Sequence, residues 1–228
     1  AYAATFDDDV LAETLAEARD NAGFATPDPH VGLAEPDGVP VPVLDLFRPS
    51  LLDVPTGHKV DLALALEAAV KAADPRISGV ESAEFVDAMG ESCVASTTGV
   101  RSESRSTGCY VAVSCLAEED GMTQTGFGFS VGRELDDLVP SDASDDAVRR
   151  ATRLLGATKP ASGRATIVLD PYVTAQVIGI IGSTLSGEAV LKGRSPFGDR
   201  VGEQIAAPTM TLLDDAADAS APSASDTD

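Results

Sequence analysis

The stretch from residue 163 to residue 215 contains the longest apolar run of the chain together with closely spaced glycines, and it constrains the fold more than any other. Residues 166–169 predict a short buried strand. Asp170 and Pro171 then predict a helix start, because a carboxylate caps free amides and proline's missing N–H costs nothing there. Residues 172–185 place apolar side chains on nearly every helical face. The sequence therefore predicts a buried central helix that begins at Pro171.

This helix is not expected to cross a membrane. Gln176, Ser183 and Thr184 interrupt the apolar run, which is also shorter than the roughly 20 residues that a bilayer requires. The sequence shows no signal peptide, and its three cysteines, Cys93, Cys109 and Cys115, lack CxxC spacing. We therefore expect a reducing, cytoplasmic location and cysteines that act as small buried apolar residues.

The rest of the chain predicts helices around a sheet. Aspartates followed by helical apolar spacing predict an amphipathic helix over residues 7–22, whereas the prolines of residues 26–55 predict an extended path. Further helices are predicted over residues 58–73 and 142–155, and the second of these should turn the side chains of Ala147, Val148, Ala151, Leu154 and Leu155 inward.

Residues 77–133 predict antiparallel sheet, with a hairpin turn at Asp120 and Gly121. The strand after this turn has aromatic and apolar side chains on one face and glycines, including Gly126 and Gly128, on the other. A glycine face suits close approach of an extended peptide, but tight packing within the protein is the more common reason for one. The predicted fold class is α+β: an antiparallel β-sheet with flanking helices and one buried central helix.

Three segments are expected in the domain organisation. Residues 1–75 form a helical and proline-rich part, residues 76–215 form a core of mixed sheet and buried helix, and residues 216–228 form a disordered acidic tail without large apolar side chains.

The net charge of −21 limits the functions that the chain can have. Affinity for a phosphate backbone requires clustered Lys and Arg, so direct nucleic-acid binding is not expected. An Asp-rich, Lys-poor surface instead suits a halophilic cytosol, where salt screens self-repulsion beyond about 3 Å at molar ionic strength.

Several of these segments, in this order, resemble the TldD/PmbA family, the modulators of DNA gyrase. The similar segments are the opening helix, the arginine-serine strand and its partner over residues 104–138, the strand and helix of residues 163–187, the glycine-rich segment with Gly193, Ser195 and Gly202, and the paired aspartates Asp214 and Asp215. The resemblance implies the TldD/PmbA fold and covers nearly the whole chain, with the family continuing on both sides of it.

In the TldD branch, the resemblance places an HExxxH zinc motif on the central helix. The corresponding positions here are Gly179, Ile180, Ile181, Gly182, Ser183 and Thr184. They offer no imidazole ligand and no carboxylate base. The chain therefore resembles the PmbA/TldE branch, and no catalytic or metal-binding residue is predicted in it.

Other candidate residues have weaker support. The two histidines, His30 and His58, lack a surrounding ligand set, and Asp214 and Asp215 should point to opposite faces of a strand, which favours a turn or cap role over a proton-sharing pair. Arg105 is expected either to form an ion pair within the sheet or to contact a bound peptide. Peptide or partner contact is predicted for Arg105, Gly126, Gly128, Arg194 and Ser195.

The resemblance implies a subunit of a TldD-type metallopeptidase system that is not catalytic itself and helps to form a peptide-degrading cleft. Zinc is then expected in a TldD-type partner and no cofactor in this chain, with unfolded or extended peptides as substrates. Two alternatives stay open: a self-associating binding or structural module, found as a self-dimer, or an active metallopeptidase that uses unrecognised ligands.

Overall fold

The computed structural model describes residues 1–40, 42–221 and 224. Its helices and strands are α1 (Asp8–Phe24), α2 (Thr56–Ala73), β1 (Ile77–Ala95), β2 (Arg101–Glu119), β3 (Met122–Gly132), α3 (Pro140–Thr152), α4 (Pro171–Leu185) and α5 (Gly187–Leu191). Short 3-10 helices lie at Pro49–Asp53 and Leu135–Asp137. The chain divides into a helical unit, residues 1–33 and 169–211, and a sheet unit, residues 34–168 and 212 onward. The domain boundaries predicted at residues 75 and 215 stay predictions.

The sheet unit is built on three antiparallel strands in the order β1-β2-β3, which confirms the α+β class. Asp120 and Gly121 form the predicted two-residue hairpin turn between β2 and β3. Both have positive φ angles, 50° and 78°, as the tight turn between twisted strands requires.

The core lies on one face of this sheet. The alternate residues Cys109, Val111, Val113 and Cys115 of β2 are buried, as their spacing predicts. They pack against Leu66 and Val70 of α2 and against the alanine side chains of α3. Alternation of side chains along the central strand therefore fixes which face the helices cover.

The glycines of β3 lie directly beneath α3. A Cβ atom added at Gly128 would lie 1.9 Å from the carbonyl oxygen of Ala143, and one at Gly126 would lie 2.1 Å from that of Ala147. Tight packing within the protein, one of the two alternatives that the sequence offers, therefore explains this face. The interpretation of Gly126 and Gly128 as an open peptide cleft is wrong within this chain, because the helix backbone occupies the space.

Helix α3 buries Ala143, Ala147 and Ala151. Val148 and Leu155 pack against the core as predicted, but Leu154 is 46% exposed. Its predicted inward position is wrong because α3 ends at Thr152, so helical spacing no longer sets the direction of later side chains.

Strands β1 and β2 extend beyond β3 as a two-stranded ribbon. The pairing of β2 with β3 ends at Cys109 and Gly132, whereas β1 and β2 stay paired as far as Ala95 and Arg101. Where β3 ends, the extended segment around Leu46 takes its place, and Thr107 N donates to Leu46 O at 3.1 Å.

The helical unit contains α1, α4 and α5, and the predicted start of α4 is confirmed. Asp170 Oδ1 accepts a hydrogen bond from Val173 N at 2.8 Å, and Pro171 is the first helical residue. Helix α1 begins at Asp8, within the predicted acidic turn, and buries none of its side chains.

Two expectations for the central stretch are wrong. Residues 166–169 form no strand, and the side chains of Ile167 and Val168 are 77% and 91% exposed. Helix α4 forms but buries no residue, and Ile180 is 67% exposed. In both cases the described residues lack a packing partner. No described strand pairs with residues 166–169, and no described segment encloses α4, which is apolar on nearly every face.

Within the described residues, no helix combines the length and apolar character needed to cross a bilayer. Part of the predicted disordered tail, residues 222, 223 and 225–228, lies outside the described residues.

Candidate functional site

Residues 179–184, which the resemblance aligns with the zinc motif of the TldD branch, lie on the carboxyl half of α4. Their only side-chain oxygens belong to Ser183 and Thr184, whose hydroxyls donate to the carbonyl oxygens of Ile180 (2.8 Å) and Ile181 (2.7 Å). These residues do not fit zinc, which binds nitrogen, sulfur or carboxylate ligands in sets of three or four. Across the described residues no group of three or more His, Cys, Asp or Glu side chains is arranged to hold a metal ion.

A cleft of about 260 Å³ lies at the carboxyl end of α4. Its apolar lining comes from Leu185, Val190, Phe197, Val201 and Ile205, and its polar lining comes from Ser195, Arg200 and Glu203. The cleft therefore joins the end of α4 to the glycine-rich segment that follows α5.

Local hydrogen bonds fix the shape of this glycine-rich segment. Ser186 Oγ caps α5 by accepting from Ala189 N at 3.2 Å. Gly193 has a φ angle of 63°, which lets the chain reverse so that the amides of Arg194 and Ser195 both donate to Ala189 O. Ser195 Oγ accepts from Phe197 N at 3.1 Å. The predicted contact residue Ser195 thus stabilises the turn and also lines the cleft.

Arg194, the second predicted contact residue of this segment, belongs to a charged cluster. Its Nη2 lies 2.6 Å from a carboxylate oxygen of Glu188, and Lys192 Nζ lies 3.1 Å from the same oxygen. Lys192 also lies 2.6 Å from Asp28. Hydrogen bonds from Lys192 and Arg194 lower the pKa of Glu188. The Arg194 side chain stays 61% exposed, so it lies at the surface of the helical unit.

The predicted site residue Arg105 lies on the ribbon of β1 and β2. Its Nε is 2.9 Å from a carboxylate oxygen of Glu91 on the paired strand, and its guanidinium stacks 3.7 Å from the ring centre of Phe47. The ion pair within the sheet, one of the two roles expected for Arg105, is therefore present. Stacking on Phe47 is a contact that the sequence does not reveal, because 58 positions separate the two residues.

The face of the sheet that α2 and α3 leave uncovered is apolar. Phe127, Phe129 and Val131 of β3 are 39%, 49% and 44% exposed, and Tyr110 of β2 lies opposite Val131. Because side chains alternate between the two faces of a strand, the aromatic and apolar side chains of β3 lie on the face that its glycines do not occupy. The sequence distinguishes both faces, and the predicted contact residues lie on the glycine face. The exposed apolar side chains lie on the aromatic face, where Arg150 of α3 stacks 4.5 Å from the ring centre of Phe127. Exposed apolar area of this kind is typical of binding surfaces.

The cysteines and the paired aspartates are the other residues considered from the sequence. Cys109 and Cys115 are buried and Cys93 is exposed, and burial raises the pKa of the Cys109 thiol to about 11. Asp215 Oδ1 accepts from Ala217 N at 3.0 Å, which is the turn role expected for one of the paired aspartates.

Comparison with known proteins places these features in a family. The model of the PmbA/TldA metallopeptidase central domain matches residues 49–155, and that of the PmbA/TldA metallopeptidase C-terminal domain matches residues 162–228. Metalloprotease PmbA of Escherichia coli O157:H7 is 27% identical over 205 residues, which are 89% of this chain and 45% of that protein. Metalloprotease MJ0996 of Methanocaldococcus jannaschii is 29% identical over 148 residues, 63% of this chain and 32% of that protein.

Solved structures share the fold. A putative modulator of DNA gyrase from Bacteroides thetaiotaomicron superposes with a TM-score of 0.78 at 21% identity, over 90% of this chain and 47% of that one. TldE from Thermococcus kodakarensis superposes with a TM-score of 0.62 at 15% identity, over 85% of this chain and 44% of that one. The chain thus spans less than half the length of these relatives.

Proposed function

Because the chain belongs to the PmbA/TldD metallopeptidase family, we propose that it is a PmbA/TldE-like subunit that completes a peptide-degrading assembly with a TldD-type subunit. In this proposal the chain has no catalytic residue of its own. Its relatives include proteins named metalloprotease PmbA and TldE, which supports this assignment. The assembly would degrade unfolded or extended peptides.

One observation carries the proposal: the chemistry of α4. By resemblance, α4 corresponds to the helix that carries the zinc motif in the TldD branch, but residues 179–184 provide only glycine, isoleucine, serine and threonine. The two hydroxyls among them donate to the helix backbone. A zinc ion that activates water for attack on a peptide carbonyl would therefore be bound by the partner.

The contribution of this chain would be surface and shape. Helix α4 has no charged side chain and exposes Ile180 in a protein of net charge −21, so it offers a partner subunit a surface with little charge repulsion. The partly exposed aromatic face with Phe129 and Val131 offers apolar surface to an unfolded peptide.

Charge and cysteine content support two further parts of the proposal. A surface with 37 acidic and 16 basic residues has little attraction for a phosphate backbone, so we propose no direct contact with nucleic acid despite the gyrase name of some relatives. Three cysteines that form no disulfide are consistent with a reducing cytoplasm, which we propose as the location.

The test is reconstitution at high salt. The 228-residue chain is purified alone and with a TldD-type subunit from the same genome, and mass, zinc content and cleavage of unfolded peptides are measured for each. We expect a mixed complex with zinc bound by the TldD-type subunit alone and faster cleavage by the complex than by either chain.

Other outcomes would contradict the proposal. A symmetric dimer of this chain with no affinity for the TldD-type subunit would favour a self-associating module. Stoichiometric zinc and peptidase activity in this chain alone would show that it is itself the enzyme, with ligands outside residues 179–184.

A further inference from the structure

Strand β1 lies at one edge of the sheet. The described strands have the order β1-β2-β3, and β2 is the strand that pairs with β1. Ser96 N donates to Val100 O across the ribbon turn, so the even-numbered residues of β1 from 82 to 94 share hydrogen bonds with β2. The backbone N–H and C=O groups of the odd-numbered residues therefore point away from the sheet: Ala83, Phe85, Asp87, Met89, Glu91 and Cys93. We call residues 83–93 on this side the outer edge.

The residues of the outer edge are themselves accessible. Residues 88–95 are all exposed, and Met89 is 46% exposed. The proline-rich segment meets the ribbon on its other side, because Leu46 O accepts from Thr107 N, which points away from β1. The segment that follows residue 212 is held beyond β3, where Arg133 donates to Ala221 O. Within the described residues, no strand or turn therefore pairs with the backbone of the outer edge.

The charged side chains of β1 are all acidic: Glu81, Glu84, Asp87 and Glu91. Lys59 Nζ lies 2.7 Å from Asp87, and Arg105 Nε lies 2.9 Å from Glu91, so a cation balances each of these two carboxylates. The described residues show no ion pair for Glu81 or Glu84, and both are exposed. The outer edge therefore has an excess of negative charge, which repels a second copy of this acidic chain and attracts a basic segment.

The two faces beside the outer edge differ in chemistry. Ala83 and Phe85 point to the face that the helices cover, and both pack against the core. Glu84 lies opposite Ala112, which lies opposite Phe129, so the Glu84 side chain is on the aromatic face. A strand added beside β1 would therefore place apolar side chains next to Ala83 and Phe85 and a basic side chain next to Glu84.

We infer that the outer edge of β1 binds an extended peptide of alternating basic and apolar residues by antiparallel strand addition. Main-chain hydrogen bonds provide the affinity, and the alternate side chains provide the selectivity. Residues 83–93 span about 33 Å, enough for pairing with about ten residues of a peptide. That this peptide is a substrate rests on the proposed function, whereas the position and charge of the edge do not.

The probe is a fluorescein-labelled decapeptide of alternating lysine and valine, titrated into the 228-residue chain at 0.2 M KCl. A decapeptide with glutamate in place of lysine is the charge control. Met89→Pro removes an N–H that points outward and leaves the hydrogen bonds between β1 and β2 intact. Its matched control, Met89→Ala, removes the same side chain and keeps the N–H.

We expect the lysine peptide to bind at least five-fold more tightly than the glutamate peptide at 0.2 M KCl, and this ratio to fall below two-fold at 2 M KCl, where charges are screened. Met89→Pro should weaken binding of the lysine peptide about ten-fold, whereas Met89→Ala should change it less than two-fold. Binding should also protect the amides of Phe85, Asp87 and Met89 from hydrogen exchange.

A second measurement tests the inference even if Met89→Pro does not fold. In antiparallel pairing, the valines lie opposite the odd-numbered residues of β1 and share their hydrogen bonds. A peptide N-methylated at its valines should therefore bind wild type about ten-fold more weakly than the plain peptide, and one N-methylated at its lysines should bind nearly as well as the plain peptide.

Equal binding of the plain and valine-methylated peptides, no binding of the lysine peptide, or no added protection at Phe85, Asp87 and Met89 would overturn the inference. Equal affinity for the lysine and glutamate peptides at 0.2 M KCl would overturn it as well. If these amides become protected without peptide as the chain is concentrated, a second copy fills the edge and the inference is wrong. Failure of the chain to join a TldD-type subunit would contradict the proposed function only, because the titration uses this chain alone.

Discussion

Thr107 is the residue at which three segments of the sheet unit meet. It is 4% exposed, its hydroxyl accepts from Arg48 N at 2.9 Å, and the same hydroxyl donates to the carbonyl oxygen of Arg133 at 3.1 Å. Its own amide donates to Leu46 O. The side chain thus joins the proline-rich segment, β2 and the chain after β3.

Thr107→Val keeps the shape of this side chain and removes both hydroxyl hydrogen bonds. The amide of Arg48 and the carbonyl of Arg133 then lose a partner in a partly buried site, which costs about 1–3 kcal/mol of the free energy of unfolding. Urea unfolding followed by circular dichroism measures the loss. Thr125→Val, at an exposed position of β3, is the control. It is expected to change the free energy of unfolding by less than ~0.5 kcal/mol. Equal stabilities of the two variants would contradict this role for Thr107.

The three thiols should differ in reactivity. Burial raises the pKa of Cys109 to about 11 and also raises that of Cys115, whereas Cys93 is exposed. Only the thiolate attacks a disulfide reagent, so one thiol per folded chain should react at pH 8 and three in urea. Because the folded-state pKa is raised above the ordinary thiol value of 9.0, stability should decrease as the pH rises from about 9 to about 11. Rapid reaction of all three thiols in the folded chain would contradict the buried positions.

At the scale of elements, the contact between β3 and α3 depends on two glycines. Gly128→Ala would place a methyl group 1.9 Å from Ala143 O, which the helix must move away to accommodate. We expect a loss of about 2–4 kcal/mol in the free energy of unfolding, typical of a steric conflict in a core. Gly90→Ala is the matched control, because its nearest neighbour would be the Ser106 hydroxyl at 3.9 Å. Equal stabilities would show that α3 does not pack this closely.

The sequence predicts elements that are held by local signals or by regular alternation. The Asp170–Pro171 helix start, the Asp120–Gly121 turn and the buried face of β2 all agree with the structure. Which segment of the protein packs against each face is less predictable. Glycines on β3 favour tight packing without naming what packs there, and only the fold places α3 against them. Similarly, apolar residues around α4 indicate that something should cover the helix, but not that this chain supplies the cover.

The exposure of α4 has a measurable consequence. Ile180 is 67% exposed and Leu66 of α2 is 2% exposed, so shortening these side chains should have different effects. We expect Ile180→Ala to cost less than ~1 kcal/mol in the free energy of unfolding of the chain alone and Leu66→Ala to cost about 2–4 kcal/mol. Chemical denaturation of the two variants provides the comparison. A cost at Ile180 as large as that at Leu66 would mean that α4 is enclosed.

At the scale of the whole molecule, charge opposes folding. A net charge of −21 on 228 residues repels itself at low ionic strength, and the ion pairs of the structure are mostly exposed and contribute little each. At 0.1 M salt the screening length is about 10 Å, so carboxylates on neighbouring elements still interact, whereas at 1 M it is about 3 Å. Stability should therefore depend on salt across this range.

Raising KCl from 0.1 M to 2 M should stabilise the chain by about 2 kcal/mol, which corresponds to a rise of ~4–8 °C in the midpoint of thermal unfolding. The control replaces five exposed carboxylates for which the described residues show no ion pair, Glu13, Glu17, Asp61, Glu81 and Glu84, by the corresponding amides. This variant should be more stable than wild type at 0.1 M KCl and should gain less from added salt, because less repulsion is left to screen. If both proteins gain equally, the salt effect comes from burial of apolar surface, and self-repulsion does not limit the stability of this fold.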